Sequence, residues 1–82
     1  MSHAGNYLRN QFDKLKATFE PAPTPPRYLV FHPTDYDIQR ATVKQIVKTY
    51  NKALDPGIFL HLHFDSTSGK AVVWFTETVV QP

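Results

Sequence analysis

His61 and His63 stand two residues apart in the stretch FLHLHFDSTSGKAVVWF (residues 59 to 75), with Asp65 two further on and Trp74 nearby in sequence. Residues two apart on a strand share a face, and neutral imidazoles so placed are ligands for zinc or nickel, with His32 as a third. A histidine beside a carboxylate is also the minimum for acid–base catalysis. Both signals are weak. His-x-His is common by chance, and His63 and Asp65 fall at a hairpin end, where an 82-residue chain has little depth with which to exclude water. There is no cysteine, which removes thiolate metal sites, disulfides and thiol catalysis together. No Ser-His-Asp set, glycine-rich phosphate loop or carboxylate pair is specified, since Gly5, Gly57 and Gly69 are isolated. The expectation is a protein that is not an enzyme, with no catalytic residue and no cofactor. A metal held by His32, His61 and His63 is the least favoured reading.

The residues around the histidines read as a hairpin. Asp65 opposite Lys70 closes a four-residue connection in which Gly69 takes the left-handed conformation. That register sets 64 against 71, 62 against 73 and 60 against 75. Ile58, Leu60, Leu62 and Phe64 then share one wholly apolar face with Ala71, Val73 and Phe75, which is the expected core. The opposite face carries Phe59, His61 and His63 beside Val72 and Trp74, with His61 directly across from Trp74. The last strand, read as Lys70 to Val80, is apolar on both sides, as a central strand should be.

Upstream, RYLVFH (27 to 32) is a strand ending at Pro33, and it adds Tyr28, Val30 and His32 to the second face. Thr34, with Asp37 three residues on, reads as the start of the main helix, which DPG (55 to 57) stops. Ile38, Val43, Ile46, Val47, Tyr50 and Leu54 form its apolar stripe. Leu8, Phe12, Leu15 and Phe19 mark a short amphipathic helix over about residues 6 to 19. Four prolines in EPAPTPPR separate it from the rest as a semi-stiff polyproline tether. The expected organisation is a helical arm (1–20), a Pro-rich linker (21–26) and a βαββ core (27–82). The fold class is α+β, a three-stranded antiparallel sheet with the last strand central and one helix packed on one face.

An aromatic second face is not expected to stay in water. Four occupants come into question: the N-terminal helix folded back, a protein partner including another copy of the chain, single-stranded nucleic acid, or a metal. The basic–Gly–aromatic run of RNA-recognition sheets is absent. Arg40, Lys44, Lys48 and Lys52 recur every four residues along the main helix and are the best argument for nucleic acid, yet each step advances about 40° around the helix, as on an ordinary solvated face. A net charge of +2 does not decide the matter. No apolar run approaches the ~20 residues of a membrane span, and the N-terminal residues lack the apolar centre of a signal peptide. The sequence therefore points to a small cytoplasmic regulatory or adaptor protein, binding a protein partner and forming a homodimer or small oligomer. Its expected contacts are Tyr28, Phe59, His61 and Trp74, with Leu8, Phe12, Leu15 and Phe19 of the arm; nucleic acid on Arg40, Lys44, Lys48 and Lys52 is the alternative.

Overall fold

The computed structural model describes residues 3–20 and 25–78. Its elements are α1 (His3–Ala17), β1 (Leu29–Phe31), a 3-10 turn (Pro33–Tyr36), α2 (Arg40–Ala53), β2 (Ile58–Phe64) and β3 (Ala71–Glu77). β3 lies between β1 and β2 and is antiparallel to both. The architecture is α+β, with helix packed on sheet. The last strand, read as Lys70 to Val80, is Ala71–Glu77, with Lys70 and Thr78 flanking it outside the strand. Val79 and Val80, and the expected polyproline geometry of Pro21 and Pro23, lie outside the described residues.

The hairpin register follows the alternation of the sequence, with Phe64 opposite Ala71, Leu62 opposite Val73 and His61 opposite Trp74. Asp65 closes it. Its N–H donates to the Lys70 carbonyl at 2.8 Å, and its own carbonyl accepts from Gly69 N–H at 2.8 Å. Gly69 has φ +77°, where a side chain would be strained. The Asp65 carboxylate accepts from Ser68 Oγ at 2.6 Å and, more loosely, from the Ser68 and Thr67 backbone. The Ser68 hydroxyl, then those amides, hold this carboxyl below the usual aspartate range.

One cluster of ten buried side chains forms the core, and α1 is part of it. Leu8 and Phe12 are fully buried together with Val43, Ile46 and Val47 of α2 and Leu60, Val73 and Phe75 of the sheet. This corrects the expectation of a tethered arm whose Leu8, Phe12, Leu15 and Phe19 meet a partner. Both helices lie on the same face of the sheet. Leu15 and Phe19 are half-buried against the cluster, with the Phe19 ring 6.3 Å from that of Phe75. Tyr50 ties the helices together: its ring meets Phe12 edge-on at 5.4 Å, and its hydroxyl donates to Asp13 Oδ1 at 2.6 Å.

The main helix begins five residues later than Thr34 as its N-cap suggests, with Gln39 in that position. Pro33 starts a single 3-10 turn with His32 at its N-cap position, so Thr34 lies inside that turn and not at the cap of the main helix. Asp37 then adopts φ 56°, a left-handed conformation that no continuous helix contains and that aspartate tolerates better than most residues. The chain re-enters a helix at Arg40. Ile38 and Leu54 remain packed on the core from outside the helix, and Val43, Ile46 and Val47 form its buried stripe.

Burial, then the bond to Asp13, raises the Tyr50 pKa. The folded protein therefore holds the phenolic proton more tightly than the unfolded chain, whose tyrosines ionise near ~10. The resulting stability is complete below that value and is lost as pH rises through the higher folded value. Tyr50→Phe is expected to cost about 1 kcal/mol at neutral pH in urea denaturation and to remove this alkaline component of the stability curve.

Candidate functional site

With both helices on one side, the other face of the sheet has nothing over it among the described residues. Tyr28, Val30 and Phe59 are 57%, 51% and 45% exposed, more than any large side chain of the core face. An aromatic row runs from Tyr28, just before β1, across β3 and β2. The Tyr28 ring lies 5.5 Å from Trp74, His61 stacks on Trp74 at 5.3 Å with 15° between the planes, and Phe59 meets His61 edge-on at 4.9 Å. Trp74 and His61 are half-buried by these contacts. His61 Nε2 also shares a hydrogen bond of 2.6 Å with Thr76 Oγ1, so the imidazole is held on two sides. Tyr28, Phe59, His61 and Trp74 are thus brought together as the alternation predicts.

His32, His61 and His63 are not. No group of three histidines, acids or cysteines that could hold a metal occurs among the described residues. His32 lies past the end of β1 and lines a shallow groove of about 420 Å³ with Ser68, Gly69 and Arg40. His61 points its ring at Trp74 and Thr76 instead.

Charge is kept off the open face. Arg27 sits with Leu15, Phe19 and Phe75 on the helix side. By alternation Lys70 and Asp65, at the hairpin tip, are the formal charges that share the strands of the aromatic row, and only its Phe59 end borders the lysines of α2. The basic residues of α2 are collected elsewhere: Lys44, Lys48 and Lys52 line one groove of about 480 Å³ between α2 and the outer edge of β2. Val47, Leu60 and Leu62 form its apolar part, Phe59 borders it, and no acidic side chain lines it. Arg40 and Lys44 stand over the Phe64 ring, 5.6 and 6.0 Å from its centroid.

Sequence reasoning missed this groove and the residue that shapes it. Asn51, an unremarked polar position of α2, donates to the Leu60 carbonyl at 2.9 Å and accepts from the Leu60 N–H at 2.8 Å. The only signal in the sequence is an asparagine where the helix needs neither a cap nor a turn. No helix among the described residues is long and apolar enough to cross a membrane. Compared with protein-family models, curated proteins and solved structures, the chain has no match in any of the three.

Removing the stacked imidazole uncovers one face of the indole. His61→Ala is expected to destabilise by about 0.5–1.5 kcal/mol in urea denaturation and to raise acrylamide quenching of Trp74, the only tryptophan. Unchanged quenching would mean that the two rings do not stack in solution.

Proposed function

We propose that the protein is a non-enzymatic binding module that engages a protein partner through its open sheet face, and that a second copy of the chain is such a partner. The observation that carries this is the placement of both helices on one face, which leaves an aromatic and nearly uncharged surface on the other. Contiguous exposed apolar surface of this kind marks binding sites, and tyrosine and tryptophan are favoured interface anchors. A domain of this size buries only roughly 60% of the surface its unfolded chain exposes. A cysteine-free chain has no disulfides to compensate, so association is a direct gain in stability. Two such faces packed sheet on sheet about two-fold symmetry would each cover the other's aromatic row.

Base stacking on single-stranded nucleic acid is the competing use of aromatics on a sheet. It needs cations that follow the backbone past the stacking platform. Here the lysines of α2 meet the row only at its Phe59 end, in a groove at the β2 edge, and do not line the rest of it, which favours protein. The absence of cysteine supports a reducing compartment, in keeping with a cytoplasmic regulator.

Sedimentation across roughly 1 µM to 1 mM tests the reading. The chain is expected to dimerise with rising concentration, and Trp74→Ala and Val30→Glu are expected to weaken association at least about tenfold. Val30 is already half in water, so its variant tests the face without a core defect. A chain that stays monomeric throughout would contradict self-association. A shift in Trp74 emission on adding single-stranded oligonucleotide would overturn the protein reading in favour of stacking.

A further inference from the structure

The β2 edge offers a second surface, which adjoins the open face at Phe59. Asp65 N–H donates to the Lys70 carbonyl, and Thr78 N–H donates to the Gly57 carbonyl at 2.7 Å. In an antiparallel pair these bonds place the backbone groups of the odd-numbered β2 residues toward β3. Those of Leu60, Leu62 and Phe64 therefore point outward. Asn51 shows what fits there. Its side-chain amide gives Leu60 one donor and one acceptor, as a single peptide unit of an added strand would. Past Asn51, the outward groups of Leu62 and Phe64 continue the row, and an unpaired strand edge is a template for another strand.

We infer that this groove takes an extended acidic peptide as a fourth strand beside β2, with carboxylates at every second position facing α2. Three features fit together. Residues 54–57 turn the chain back, so that α2 and β2 run side by side from Asn51 at Leu60 to Lys44 near Phe64. Lysines four apart on a helix rise by ~6.0 Å, and alternate residues of a strand repeat at ~6.8 Å. Beside Leu62 and Phe64 one carboxylate can therefore meet each of Lys48 and Lys44 in turn, with Lys52 extending the positive wall beyond Asn51. The apolar surface of Val47 and Leu62 lies beneath, suited to glutamate methylenes. Backbone pairing supplies the affinity in such strand addition, and the side chains on alternate positions supply the selectivity.

The probe is a fluorescein-labelled heptapeptide with glutamate at alternate positions and valine between, titrated with the full chain and read by fluorescence anisotropy. Saturable binding is expected, weakened at least about tenfold by Lys48→Glu, at an exposed position outside the core. Two further peptides carry N-methyl groups on alternate amides, in the two phases. One phase blocks the amides that face β2 and is expected to abolish binding, and the other to retain it. Equal behaviour of the two phases would overturn strand addition. So would the absence of binding at ~1 mM peptide. Competition by a thymidine oligonucleotide as strong as that by unlabelled peptide would replace the inference with a general polyanion stripe.

Discussion

Leu8 and Phe12 have no solvent exposure, and the asymmetry of the molecule follows from where they are buried. A helix of fifteen residues is marginal alone in water. Full burial of a large apolar side chain contributes about 1.5–3 kcal/mol, so two of them are a large share of the 5–15 kcal/mol that separates a folded domain from its unfolded chain. That burial is made on the face already occupied by α2. Once α1 is there, nothing described remains to cover the other face, and Tyr28, Val30 and Phe59 are left in water.

Why the helix goes to that face can be put in terms of widths. Three strands at ~4.8 Å spacing present an apolar surface of roughly 14 Å, wider than a single helix of about 10 Å. α2 lies over β2, and α1 fills the strip over β3 beside it, with Tyr50 and Phe75 between Phe12 and Phe19. The amphipathic stripe Leu8, Phe12, Leu15, Phe19 is plain in the sequence, but a stripe specifies only that a helix has an apolar side. Both faces of this sheet are apolar enough to receive one, so the choice depends on a packing width that no local pattern records.

The hairpin was legible almost to the atom, because a period of two on each strand and the Asp65–Gly69 turn agree on one register. The pairing of His61 with Trp74 followed from it. The start of α2 was not legible, since Thr34 and Asp37 carry the composition of a helix cap while Asp37 in fact turns the chain left-handed. The lysine stripe was visible as a spacing, but its meaning was not. Only the neighbouring β2 edge turns Lys44, Lys48 and Lys52 into one wall of a groove, and only the contact with Leu60 distinguishes Asn51 from any other polar helix residue.

The molecule thereby separates its chemistry by side. Aromatic and neutral groups face outward from the bare sheet, and cations line the rim of the helical layer. All of this depends on α1 being part of the core rather than an arm on a tether. Amide hydrogen exchange on the full chain measures that most directly. The amides of residues 9–15 are expected to be protected to nearly the same degree as those of β3, because opening them must break the shared core. If those amides exchange as fast as a free helix while β3 stays protected, α1 is an arm after all, and the open face is where it would have to be sought.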